Sequence, residues 1–123
     1  MVKGRIFSGR SEGKNYISLS WVKEQIIEKM GFTPYGGTLN IMLFKDDDAV
    51  QRLQNAEGVD IVPATGFFAG KLFRASVHNV NCAVVIPQTL DYPEYMLEVI
   101  SPENLRRKLH VRDGDIIELT VVL

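Results

Sequence analysis

Short strand-like runs, each set off from the next by glycine, proline or asparagine turns, leave this chain few architectures to choose from. Alternating or β-branched segments occupy residues 2–7, 38–44, 59–62, 70–77, 82–86, 95–100 and 116–122. Turn signals stand between them at Thr65-Gly66, His78-Asn79 and Asp113-Gly114-Asp115. One helical pattern has substance, over residues 21–30: Trp21, Val22, Ile26 and Met30 share a face with Ile27 beside it, while Lys23, Glu24, Glu28 and Lys29 face water. Ser20 is its expected N-cap and Gly31 its left-handed C-terminal stop. Residues 8–15 read as a glycine-punctuated loop and residues 16–19 as strand-like. Short helical patterns follow the acidic triplet Asp46-Asp47-Asp48, through Ala49, Val50 and Leu53. Another runs to Leu109 behind Ser101 as N-cap and Pro102 at the first helical position. The expectation is a mainly β single domain over residues 1–123, with six or seven strands. A small closed barrel fits that spacing; a sandwich remains open.

Composition narrows the function classes. The 14 basic and 15 acidic residues leave a formal net charge of −1, without the basic excess of a general nucleic-acid binder. Cys82 is the single cysteine, so neither an intrachain disulfide nor a thiolate metal cluster can form, and its apolar surroundings suit a small core residue. Apolar runs fall far short of the ~20 residues of a membrane helix, and the first residues alternate instead of forming a signal-peptide block. A cytoplasmic monomer that binds neither membrane nor nucleic acid is expected.

Two segments carry candidate chemistry. In Gly31-Phe-Thr-Pro-Tyr-Gly-Gly-Thr-Leu-Asn40 a helix ends, the chain turns on Pro34, Gly36 and Gly37, and a strand opens with Thr38 and Asn40. Those two sit at i and i+2, so both point to one face of the strand. Spacing alone equally allows them a role in stabilising local backbone. The second segment, Gly9-Arg-Ser-Glu-Gly-Lys14, offers closely spaced N–H groups and a lysine to an anionic phosphate chain. It fails the Walker A pattern, with three residues between its glycines and Asn15 after Lys14. A flexible turn is its bland alternative. His78 and His110 are far apart in sequence and have no serine or cysteine partners in a hydrolase or zinc pattern.

Taken in order, these segments resemble the archaeal-type CTP-dependent riboflavin kinases. The resemblance rests on Gly9-Arg-Ser-Glu-Gly-Lys14, on Ile26-Ile-Glu-Lys-Met-Gly-Phe-Thr-Pro-Tyr-Gly-Gly-Thr-Leu-Asn40, on Tyr92-Pro-Glu-Tyr-Met-Leu-Glu-Val-Ile-Ser-Pro-Glu-Asn-Leu-Arg106 and on Asp113-Gly-Asp115. It departs from the family pattern at Gly36, where a proline is frequent.

The resemblance implies a six-stranded cradle-loop barrel that transfers the γ-phosphoryl group of CTP to riboflavin, giving FMN and CDP. Gly9, Arg10, Ser11, Glu12, Gly13 and Lys14 would wrap the nucleotide phosphates, and Glu103, Asn104, Leu105 and Arg106 would contact the same nucleotide. Thr38 and Asn40 would hold one Mg²⁺ through neutral oxygens, and Thr89 and Glu98 would line the flavin site. Lys14 and Arg106 would supply positive charge, and Glu98 is the candidate base for the ribityl hydroxyl. Two rivals keep the barrel without the reaction. One is a non-catalytic flavin- or nucleotide-binding module; the other, a swapped-hairpin DNA-binding barrel, is disfavoured by the balanced charge.

Overall fold

A computed structural model describes residues 1–8, 12–45, 48–89 and 92–123, the side chains of residues 12–14 excepted. Its elements run β1 (Val2–Phe7), α1 (Glu12–Ser18), α2 (Ser20–Met30), β2 (Leu39–Leu43), α3 (Asp48–Asn55), β3 (Val59–Ile61), β4 (Gly70–Val77), β5 (Val80–Pro87), β6 (Met96–Ile100), α4 (Leu105–Leu109) and β7 (Ile116–Val121).

The strands pair antiparallel in the order β3-β4-β5-β6-β2-β1-β7, and a further β4–β7 pairing closes six of them into a barrel. The seventh, β3, is an addition to the wall. Strand β4 makes both arrangements possible by dividing one edge between two partners. Its first half pairs with β3, Ile61 opposite Gly70, and its last residues pair with β7, Ala75 opposite Val121. The β4–β5 hairpin turns on His78 and Asn79 with φ of 47° and 65°, the double left-handed conformation that suits the twist of a two-residue hairpin.

Alternation along the strands produces two cores. Val2, Ile6, Leu39, Ile41, Leu43, Phe73, Val84, Leu97, Val99, Ile117 and Leu119 belong to the cluster inside the barrel. The opposite faces of β3 to β6 contribute Ile61, Leu72, Ala83, Val85 and Ile100 to a second cluster under Ile17, Val22, Ile26 and Met30 of α1 and α2. Helix α2 also covers the free edge of β3: the Gln25 side chain donates to Val62 O at 2.9 Å and accepts from Val62 N–H at 2.7 Å. An amide that mimics a neighbouring strand satisfies an edge that would otherwise seek another chain. Cys82 lies in the barrel core, where burial pushes its thiol up to about 12, so the core reading holds.

Several local expectations are corrected. Residues 16–19 form no strand; residues 12–18 make α1 instead. Tyr16 meets Trp21 edge-on at 5.9 Å and Ile17 is buried, so packing against α2 overrides the β-preference of Tyr and Ile. The loop expected over residues 8–15 is therefore helical from Glu12, while residues 9–11 lie outside the described residues. Leu19, extended at φ −64° and ψ 132°, occupies the N-cap of α2, and Ser20 is already inside the helix. The cap of α4 is Asn104, whose Oδ1 accepts from Arg107 N–H at 3.3 Å. Ser101 serves earlier: its Oγ accepts from Glu103 N–H at 3.3 Å and shapes the bend before the helix. Asp46 and Asp47 lie outside the described residues; Asp48 opens α3 as a dipole complement.

Gly4 shows how tightly the wall closes. It pairs with Leu43 on one side and Ile117 on the other, and a Cβ there would stand 2.5 Å from Met42 O and 2.6 Å from Ile41 Cγ2. The nearer obstacle is backbone, which cannot rotate away. Gly4→Ala should therefore destabilise the fold by about 1–3 kcal/mol, the usual cost of overpacking. Thermal or denaturant unfolding reads this directly, and an unchanged midpoint would contradict the tight wall.

Candidate functional site

Strand β2 begins where the chain leaves the Pro34–Gly37 turn, and its outer face carries the first chemical group. Thr38 Oγ1 donates to Asn40 Oδ1 at 3.1 Å. Asn40 is only 7% exposed and stands between Phe7 of β1 and Glu98 of β6 in the ladders. Glu98 is completely buried and pairs on its other side with Val85. Leu97 and Val99 join the barrel core, so the period of two places Glu98 on the outer face with Asn40. The shared face expected of Thr38 and Asn40 is present, and a buried carboxylate lies one strand away.

Thr38 also lines a cleft of about 180 Å³ together with Glu103, Asn104, Leu105 and Arg106. Tyr35 forms one wall of it. The Tyr35 N–H donates to Ser101 O at 2.7 Å and its hydroxyl accepts from Asn104 Nδ2 at 3.3 Å, fastening the glycine turn to the segment before α4. The structure thus brings together two groups, Thr38 and residues 103–106, that are more than sixty positions apart in sequence. Arg106 does not stand alone in the cleft. Its Nη2 donates to Asp113 Oδ1 at 2.7 Å and to Phe7 O at 3.3 Å. The second Asp113 oxygen accepts from Ser8 Oγ at 2.5 Å. The Ser8 hydroxyl and then the Arg106 guanidinium hold the Asp113 carboxyl below the usual carboxylate range, so it stays ionised through mildly acid conditions.

A metal at this site would use neutral ligands. Among the described residues no group of three or more His, Cys, Asp or Glu could hold an ion. The Thr38 hydroxyl and the Asn40 amide oxygen are neutral oxygen ligands of the type a hard cation takes; here, 3.1 Å apart, they bond to each other. Gly9, Arg10 and Ser11 lie outside the described residues, as do the side chains of Glu12, Gly13 and Lys14, so the glycine-loop assignments gain no geometry. The backbone of residues 12–14 is the first turn of α1.

The larger cavity, about 360 Å³, opens elsewhere, between α3 and strands β4 to β6. Leu53, Phe73 and Leu97 give it an apolar floor, and Gln54, Gln88 and Thr89 stand among its polar lining. Thr89 is therefore in this cavity, whereas Glu98 faces the other side of β6; the two residues expected to share a flavin site are not brought into one pocket. Tyr35, Ser8 and Asp113 were missed as site residues by sequence reasoning. An aromatic placed inside a Pro–Gly turn was a usable signal for Tyr35, and the Asp113-Gly114-Asp115 turn one for Asp113; nothing local marks Ser8.

Comparison with known proteins follows from this geometry. The family model CTP-dep_RFKase, described as the domain of unknown function DUF120, matches residues 6–121. A riboflavin kinase of Archaeoglobus fulgidus is 39% identical over 99% of this chain and 54% of its own length. One from Pyrobaculum arsenaticum is 42% identical over 98% of this chain and 60% of its own. One from Sulfurisphaera tokodaii is 34% identical over 99% and 95%. The chain thus spans little more than half of the first two relatives and nearly all of the third. With the model covering almost every element of the barrel, the chain belongs to the CTP-dep_RFKase family.

Proposed function

We propose that this domain transfers the γ-phosphoryl group of CTP to the terminal ribityl hydroxyl of riboflavin, releasing FMN and CDP, with Mg²⁺ bound by Thr38 and Asn40. The observation that carries the reading is the convergence of Thr38 and residues 103–106 on one cleft, with the neutral side-chain oxygens of Thr38 and Asn40 side by side at its edge. The relatives, riboflavin kinases, point to the acceptor class, and the family designation points to the donor.

Phosphoryl transfer asks a protein mainly for positioning and charge neutralisation. Residues 103–106 would hold the nucleotide along the cleft, with Arg106 serving its phosphates and Lys14, of the glycine-rich segment, as a second cation. Magnesium, when bound, neutralises phosphate charge and orients the transferring group. The attacking ribityl oxygen would bond to the γ-phosphorus as the bond to the departing CDP oxygen breaks, and Glu98, opposite Asn40 in the β2–β6 ladder, would take its proton where the ribityl chain reaches β2. The flavin ring fits the cavity beside Thr89, whose size and mixed lining suit a flat apolar ligand with polar edges.

Incubation of the protein with riboflavin, Mg²⁺ and each nucleoside triphosphate in turn, with products separated by chromatography, tests the whole reading. FMN should form with CTP, far less with ATP or GTP, and none after chelation of the metal. Flavin binding without FMN from any triphosphate would instead identify a non-catalytic binding module. Thr38→Ala and Asn40→Ala should each raise the Mg²⁺ needed for half-maximal rate by at least the roughly 10- to 100-fold that losing a supporting group costs at metal sites. Both variants should unfold like the parent. Wild-type metal dependence in both would remove these residues from the metal site.

A further inference from the structure

The turn that leads into β7 holds more than a strand junction requires. Gly114, at φ +92°, lets the chain reverse so that its N–H donates to Ile6 O at 2.8 Å while Ile6 N–H donates to Asp115 O at 2.9 Å. Arg5 Nη1 adds a bond to Gly114 O at 2.8 Å, and Asp115 Oδ2 accepts from Arg112 N–H at 3.0 Å. The turn is thereby sewn to the last residues of β1, and the position of Asp113 is set by backbone bonds and not by its own side chain. From that fixed point the carboxylate reaches two separate segments. Oδ2 takes the Ser8 hydroxyl at 2.5 Å, and Oδ1 takes Arg106 Nη2 at 2.7 Å.

These two segments are the ones on which nucleotide binding depends in the reading above. Arg106 lines the cleft with Thr38 and Glu103. Ser8 is the residue that precedes position 9, where the glycine-rich segment begins. Phe7, whose carbonyl also accepts from Arg106 Nη2 at 3.3 Å, lies opposite Asn40 in the β1–β2 ladder. One carboxylate therefore links the arginine of the cleft, the root of the glycine segment and the strand next to the Thr38–Asn40 pair.

We propose that Asp113 is a positioning residue for the nucleotide: it holds Arg106 and the chain at Ser8 in their ligand-binding arrangement before the ligand arrives. The proposal rests on the phosphoryl-transfer reading for the identity of the nucleotide. Arginine is a long side chain with many rotamers, and fixing it in advance strengthens binding by removing part of its ordering cost. The competing account treats Arg106–Asp113 as one more half-exposed ion pair of small worth. The two differ in what they couple. A plain surface pair would affect stability slightly and both substrates equally, whereas a positioning role acts on the nucleotide alone.

Titration calorimetry of CDP with Mg²⁺ separates them, run on the parent protein, Asp113→Asn, Asp113→Ala, Asp113→Glu and Ser8→Ala, alongside KM for CTP, KM for riboflavin and unfolding temperature. Asp113→Ala should weaken CDP by roughly tenfold and raise KM for CTP by a similar factor, with KM for riboflavin unchanged. Ser8→Ala should show a smaller loss of the same kind, and Asp113→Glu should recover part of it. If Asp113→Ala does not fold, Asp113→Asn, with the same shape and no charge, and Ser8→Ala decide the matter. CDP affinity within twofold of the parent in both, or equal losses for nucleotide and riboflavin, overturns the proposal. A parent protein that binds CDP without making FMN would sink the kinase reading alone, because the Asp113 effect on CDP is still measured. A parent that binds no cytidine nucleotide would overturn both.

Discussion

Strand β6 is paired with β2 on one side and with β5 on the other, and all five of its residues are buried. Its inner side chains, Leu97 and Val99, fill the barrel, while Ile100 packs under the helices. A strand covered on both faces tolerates no slip in register, since a shift of one residue would exchange its core set for its outer set. That register is what places Glu98 opposite Asn40 and Val99 opposite Leu39. The chemical face of β2 and the carboxylate beside it are therefore consequences of how the hydrophobic residues of β6 are satisfied.

Barrel closure adds the second constraint. Closure through the β4–β7 pairing holds β7 antiparallel against β1, so the end of β1 and the start of β7 lie at the same rim. There the turn around Gly114 bonds the end of β1, and Arg106 of α4 reaches both Asp113 and Phe7. The cleft is assembled from the turn before β2, the end of β6 and the start of α4, with Arg106 bonded behind it to Phe7 at the β1 end. None of them would be ordered in this way without the closed wall.

Much of this architecture could be read in advance, for identifiable reasons. Alternation in β1, β2 and β7 is a local property of a half-buried wall, and the left-handed turn residues His78 and Asn79 punctuate the hairpin visibly. The Thr38–Asn40 face was legible because a separation of two residues on a strand needs no tertiary information. Helix α1 was not legible: its Tyr16 and Ile17 favour strands, and only contact with Trp21 and the second core makes the helix worth forming. Nor could the true cap of α4 be chosen locally, since Ser101 and Asn104 are both good capping residues. The bonds from Asp113 to Ser8 span 105 positions, beyond the reach of any motif. Splitting Thr89 from Glu98 likewise required knowing that Glu98 is buried on the face of β6 away from Leu97, while Leu97 lines the cavity that holds Thr89.

The central claim is one of placement: nucleotide in the cleft between the start of β2 and the start of α4, flavin in the cavity beneath α3. Amide chemical-shift mapping of the ¹⁵N-labelled protein tests it most directly, with Mg²⁺·CDP and riboflavin added separately. The account predicts that the nucleotide moves the signals of Tyr35, Thr38, Asn40 and residues 103–106 while leaving Leu53 and Thr89 in place. Riboflavin should do the reverse, moving Leu53, Phe73, Gln88 and Thr89. Nucleotide-induced shifts centred on the α3 cavity, with the Thr38 cleft unperturbed, would contradict it.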